Sequence, residues 1–376
     1  MRDLIYFMPT VLALIDNYLV RPDYKHSQWF QTAGNKNQFG VAFPEFFSSR
    51  VHDIGAPWPV AATISPIPNI VKVDQHIENI LDSIAEQIVK STINSKKIPY
   101  LLWSGGIDST AILVALLKNN CQEFLERLVI VHSDVSILEN AYFYQRFVNQ
   151  KLKTLNIENF SVRPDNYKTM LLLDGDAGNQ VFGCSSIYNL FYRQPELLNF
   201  EWRNVDNVDQ LLPGQTELTF KMIKESVACA PFEIRTVYDL LWWSNFNFKW
   251  NEVLARSMFY YAQHLSPVES QDFYQNSLFR FFEHPDIQRW AILYRDQRRE
   301  ATQLHPKWHV KKYIHDFDKN HLWFAHKQEA ASGSQQTRAT AFYRPNTVIG
   351  FDCEWNPIDL SSAEIRQELG HILERI

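Results

Sequence analysis

Tyr100-Leu101-Leu102-Trp103-Ser104-Gly105-Gly106-Ile107-Asp108-Ser109-Thr110 is the stretch from which the rest of the chain can be read. An apolar run stops at Ser-Gly-Gly, and a second one resumes through Ala111-Ile112-Leu113-Val114-Ala115-Leu116-Leu117. This pattern predicts a short buried strand, a tight glycine turn and a helix. A strand that turns straight into a helix aims several backbone N–H groups at one spot. Those donors, the helix dipole and the Ser104, Ser109 and Thr110 hydroxyls suit an anion, above all a phosphate chain. Gly105 and Gly106 allow torsions and a close approach that a β-carbon would block. Asp108 is the odd member, because a carboxylate beside phosphates makes sense when a divalent cation such as magnesium lies between them.

Outward from this stretch, strands and helices alternate. Upstream, Ile77, Ile80, Leu81, Ile84 and Ile88 fall at helical spacing between Asp74 and Ile93, with Asp74 as the expected cap. Downstream, Leu128-Val129-Ile130-Val131-His132 reads as a second buried strand and Glu139 to Leu155 as a helix. Phe160-Ser161-Val162 and Met170-Leu171-Leu172-Leu173 read as a third and a fourth strand. Such alternation implies right-handed crossovers and a parallel, doubly wound α/β sheet. Ligands of these sheets lie at the carboxyl ends of the strands, where Ser104 and Asp174 both fall.

The Ser104–Ser109 segment lacks the Gly-Lys-Ser/Thr ending of a Walker loop. It resembles the Ser-Gly-Gly-x-Asp-Ser PP-loop of the ATP pyrophosphatases: asparagine synthetase, β-lactam synthetase, GMP and NAD synthetases. A second stretch, Asp174-Gly175-Asp176-Ala177-Gly178-Asn179-Gln180-Val181-Phe182-Gly183, is similar to the Gly-Glu-Gly-x-Asp-Glu-x-Phe-Gly signature of asparagine synthetases. Residue by residue, Asp176 falls on the acidic position associated with general-base or intermediate-binding duty. Asn179 falls on the magnesium-binding aspartate and Gln180 on the glutamate after it, so two carboxylates have become amides. An Asn carbonyl is a weaker magnesium ligand and brings no charge. Asp108, or Asp174 as a substitute, then carries the metal-binding expectation. Arg280-Phe281-Phe282-Glu283 resembles the Pro-Phe-Leu-Asp element, with one identity and the acid kept as Glu283. Lys307-Trp308-His309-Val310-Lys311 resembles a Lys-x-x-Leu-Arg helix start, and Lys327 falls near a later lysine whose usual Gly-Phe neighbours are absent here.

What the resemblance implies is an asparagine synthetase-like domain with a HUP-like parallel sheet, a helical C-terminal part and a short N-terminal appendage. The expected boundaries are residues 1–73, 74–345 and 346–376. Ser104, Gly105, Gly106, Asp108, Ser109 and Thr110 would bind ATP, with magnesium on Asp108 and Asn179. Asp176, Lys307 and Lys327 would be catalytic, the lysines offsetting the charge of departing pyrophosphate. The implied reaction adenylates a carboxylate, releases pyrophosphate and forms an amide with ammonia or a substrate amine. A separate amidotransferase subunit could supply the nitrogen. Arg2 stands where the glutaminase domain of an asparagine synthetase has its cysteine, so glutamine hydrolysis is not expected. Alternatives are a PP-loop enzyme acting on a nucleobase or tRNA, a sulfur transferase and a nucleotide-binding module without turnover.

Bulk properties narrow these. At 376 residues the chain can bury a sizeable core. Its net charge of -5 argues against a general affinity for nucleic acid. Cys121, Cys184, Cys229 and Cys353 form neither a CxxC pair nor a disulfide framework, which fits a reducing compartment. No run is long enough for a bilayer, and a cytoplasmic location is expected. The aromatic C-terminal half, Trp242, Trp243, Phe246, Phe248, Trp250, Phe279, Phe281 and Phe282, reads as core. Ala330–Thr337 reads as a flexible loop and Ser362–Ile376 as a terminal helix.

Overall fold

A computed structural model describes residues 5–7, 50–51, 66–183, 185–204, 223–250, 253, 261, 264–265, 267–302, 304–327, 349–351 and 357–358. By spatial contact the chain divides into two units. One comprises Met1–Ile67, Glu196–Pro267 and Arg338–Ile376; the other comprises Pro68–Pro195 and Val268–Thr337. The second unit begins at Pro68 and carries the glycine loop. Residues 196–267, however, group with the two ends of the chain and not with the sheet, a division that no shift in composition marks.

The described strands are β1 (Ile5–Phe7), β2 (Ile98–Leu102), β3 (Val129–His132), β4 (Lys153–Asn156), β5 (Met170–Asp174), β6 (Leu278–Arg280), β7 (Ile349–Phe351) and β8 (Pro357–Ile358). In the second unit β2 to β6 form a five-stranded, all-parallel sheet in the order β4-β3-β2-β5-β6. Leu101 pairs with Ile130 on one side and Leu173 on the other, and Asp174 pairs with Arg280. The chain winds outward from β2 through β3 to β4, then returns to the opposite side of β2 with β5. The order therefore reverses between β2 and β5, the crevice where doubly wound sheets hold ligands. The fold is α/β and Rossmann-like.

The helices that frame the sheet are α1 (Ile77–Ser95), α2 (Ile107–Asn119), α3 (Asp134–Glu139), α4 (Gly178–Phe182), α5 (Pro285–Leu293), α6 (Trp308–Asp318) and α7 (His321–His326). α1 buries Ile77, Ile80, Leu81, Ile84 and Ile88, the stripe its spacing predicts. Asp74 sits just ahead of it and accepts from the His76 N–H at 2.8 Å, while His76 occupies the cap position. α2 is buried from Ser109 through Leu116 and packs against α1 and α6, which suits its nearly unbroken apolar run.

Two expectations are corrected. The helix read over 139–155 ends at Val148 after a π-helical turn, and Gln150 takes a left-handed φ of 60°. The next residues form β4, while Phe160–Val162 is not a strand, and the Phe160 ring lies 5.6 Å from Tyr100 instead. β4 lies at the sheet edge with Lys153 and Thr154 exposed, so it lacks the apolar run that announces a central strand. β6 was not anticipated, because three residues carry no period.

In the first unit β1, β7 and β8 form an antiparallel sheet. A helix over Val237–Ser244 starts at a Thr236/Asp239 capping box and runs into a π-helical turn, Asn245–Lys249. Trp242, Trp243, Phe246, Phe248 and Trp250 are fully buried, as expected of core. Two neighbours, Ser226 and Arg50, lie against this cluster. The Trp243 indole donates to the Ser226 carbonyl at 3.1 Å, and the Arg50 guanidinium lies 4.0 Å from the Trp250 ring centre. The segments read as a loop over 330–337 and a helix over 362–376 lie outside the described residues. No described helix is long and apolar enough to cross a membrane.

Candidate functional site

The glycine loop is locked by its own side chains. The Trp103 N–H donates to the Val131 carbonyl at 2.8 Å, which carries the chain past the end of β2. Gly106 caps α2 and donates to Ser104 Oγ at 3.2 Å. Ser109 Oγ accepts from the Ser104 N–H at 3.1 Å and lies 3.0 Å from Ser104 Oγ. Gly105 has φ +73°, and a β-carbon there would stand 2.2 Å from the Ser136 carbonyl oxygen. The glycine is therefore required twice over, by torsion and by space. Ser104, Gly106 and Asp108 are partly exposed, whereas Ser109 and Thr110 are buried. Thr110 Oγ1 accepts from the Trp103 indole at 3.2 Å, so this hydroxyl lies beneath the loop rather than on its open side.

The second signature stretch packs directly on the first. A β-carbon at Gly178 would stand 2.4 Å from Asp108 Cγ, and one at Gly175 3.3 Å from Asp108 Cβ. Asp108 is thus seated against a turn lined by two glycines. Asp174 closes β5 and is buried, its Oδ1 accepting from the Asp176 N–H at 3.1 Å. Asn179 and Gln180 lie in the first turn of α4, with Gln180 buried. Arg280 enters from β6, its Nε 3.9 Å from Asp174 and a terminal nitrogen 3.6 Å from Glu283. Burial works against its charge, but Tyr274, Glu283, Asp174 and Asp176 outweigh that and raise its pKa above the ordinary arginine value.

The two lysines singled out in the sequence both reach this neighbourhood. Lys307 Nζ donates to Asp108 Oδ2 at 2.6 Å, with the lysine 3% and the aspartate 21% exposed. Lys327 forms an ion pair with Glu139, the last residue of α3. Glu139 also lies on the loop, for its Cβ would be 2.8 Å from a β-carbon at Gly105. Lys311 is buried and donates to the Lys327 carbonyl at 2.8 Å; desolvation lowers its pKa to about 8. His305 Nδ1 accepts from the Lys307 N–H at 3.0 Å, and desolvation together with Lys311 and Lys307 drives the imidazole down to about 3. This ring is neutral at pH 7.

Sequence reasoning missed Glu139 and His305. Neither is part of a local pattern, and Glu139 meets Lys327 across 188 residues of chain. Among the described residues no three His, Cys, Asp or Glu side chains converge into a ready metal cage. The donors fit a magnesium ion carried in on phosphates, which needs only one or two protein carboxylates besides phosphate oxygens and water. Asp108 presents a half-buried carboxylate beside the loop, its Oδ2 bonded to Lys307, and Asn179 lies in the adjoining turn. No family model, curated protein or solved structure matches the chain.

Proposed function

We propose that this chain is an ATP-dependent carbon–nitrogen ligase that activates a carboxylate as its adenylate. The observation that carries this reading is the meeting of the glycine loop, Asp108 and Lys307 where the parallel sheet reverses its winding. The N–H groups of the loop and the start of α2 would hold the phosphate chain of ATP. A substrate carboxylate attacks the α-phosphorus; the bond to the bridging oxygen breaks, and pyrophosphate leaves with that electron pair. Lys307 and Lys327 would offset the charge on the departing group. An amine then attacks the acyl carbon, AMP leaves and an amide forms, with Asp176 accepting the proton from nitrogen. Magnesium, when bound, supplies further charge neutralisation at the phosphates. Activation is required because a carboxylate at neutral pH is a poor acyl donor.

The test is pyrophosphate release from Mg·ATP across a panel of amino acids and other carboxylates, with ammonia present. Release that depends on one acid and disappears in Asp108→Ala supports the ligase and names its substrate. The amine can be free ammonia, an amine within the substrate or ammonia delivered by a separate amidotransferase. Omitting ammonia from the same assay separates the second source from the others.

A second reading is favoured by a specific observation. Asn179 and Gln180 replace the two carboxylates of the motif, and Lys307 already occupies Asp108. These features suit a module that binds the nucleotide without cleaving it. Tight ATP binding with no pyrophosphate from any acid would select this reading over the ligase.

A further inference from the structure

We propose that Glu139 is a placeholder for phosphate, holding Lys327 at the glycine loop until an incoming anion takes the lysine over. The proposal rests on the reading of that loop as a phosphate cradle. Its starting point is the bare face of Gly105. With no β-carbon there, the Glu139 side chain lies on the loop, its Cβ and Cγ 2.8 and 3.2 Å from where that carbon would be. The Glu139 carboxylate meets the Lys327 ammonium, and the two side chains are only 14% and 9% exposed. The lysine is delivered by a fixed backbone. Its N–H donates to the Trp323 carbonyl at 2.8 Å, and its carbonyl accepts from Lys311 Nζ at 2.8 Å.

A carboxylate placed beside an anion-binding loop opposes anion binding through like-charge repulsion. The same carboxylate compensates Lys327, whose charge would be costly to keep in a largely buried position without one. Both roles are reconciled if phosphate displaces Glu139. The lysine then exchanges one anionic partner for another, and the released Glu139 carboxylate turns toward solvent. Asp108 and Lys307 form a second lysine–carboxylate pair at the same loop, so both lysines of the site are held by carboxylates. Glu139 is a positioning residue in this scheme and touches no reacting atom.

The experiment is calorimetric titration of the full chain with inorganic pyrophosphate and with Mg·ATP. The proteins are wild type, Glu139→Gln, Lys327→Met and the double variant. Removing the carboxylate charge is expected to tighten pyrophosphate binding about tenfold in Glu139→Gln. Lys327→Met is expected to weaken it, and adding Glu139→Gln to that background to recover part of the loss. A purely structural Glu139 would give no recovery. Should Glu139→Gln fail to fold, Glu139→Asp, one methylene shorter, loosens the same pair and is expected to tighten binding about threefold. Unchanged or weaker binding in the Glu139 variants, with a binding-competent wild type, overturns the placeholder and leaves the cradle standing. A wild type that binds neither ligand overturns the cradle, and the placeholder with it.

Discussion

Gly105 and Gly178 are both glycines of the candidate site, yet substituting them should fail in different ways. At Gly105 a β-carbon meets a backbone oxygen at 2.2 Å, and the φ of +73° penalises any L residue. The left-handed torsion alone costs about 1–2 kcal/mol, so Gly105→Ala should lose at least that in denaturant unfolding, with the clash adding to it. Gly178 has no left-handed torsion, and the nearest atoms to its added carbon would be those of the Asp108 carboxyl group, from 2.4 Å. Gly178→Ala is therefore expected to lose nucleotide binding, because Asp108 must turn away from Lys307, and to lose stability through that broken pair rather than through backbone strain. Titration of ATP beside an unfolding curve separates the two cases. His305 supplies the pH dependence. Its folded pKa of about 3 lies below the ordinary 6.5, so the unfolded chain takes up a proton before the folded one does. Its contribution to stability is complete above about pH 6.5 and is lost as the pH falls toward 3. Asn can still accept from the Lys307 N–H, so His305→Asn should flatten the acid limb. Unfolding curves at pH 7, 5.5 and 4.5 that run parallel to wild type would contradict this.

Among the elements, β6 is held to the sheet by three residues, and Arg280 at its end carries a buried charge toward Asp174 and Glu283. Arg280→Met would leave Asp174 buried without that cation. Breaking such a pair costs about 3–5 kcal/mol, measurable by urea denaturation. A loss below about 1 kcal/mol would show that the pair contributes nothing to stability. β6 also marks the limit of what the sequence reveals. α1, β2, α2, β3 and β5 were legible because each buries a long apolar stripe or run that leaves a period in the chain. β4 is an edge strand with exposed residues, and β6 is too short for any period, so neither left a signal. The glycine loop and the Asp174–Gly183 turn were legible as motifs, and their meeting through Asp108 follows from the parallel winding. Glu139 and His305 were not legible, because their partnerships are tertiary. Likewise, the departure of residues 196–267 from the sheet unit is a matter of contact, and composition does not record it.

At the scale of the whole molecule, two contact units sharing one chain make a single unfolding transition an assumption rather than a default. A ligand stabilises only the unit that binds it, by about 2.7 kcal/mol at a free concentration a hundredfold above its Kd. The net charge of -5 gives no general attraction for a polyanion, so on the proposed reading the affinity for ATP comes from the local array of loop N–H groups, Lys307 and Lys327. Mg·ATP at saturation should therefore raise the melting of the sheet unit and slow amide exchange around residues 103–110 and 174–180. The helix over Val237–Ser244, in the other unit, provides an internal reference whose exchange should stay unchanged. Asp108→Ala should remove the effect. Protection that appears at Val237–Ser244 and not at the glycine loop would transfer the nucleotide site to the other unit. In that event the Ser-Gly-Gly turn would be no more than a tight corner between a strand and a helix.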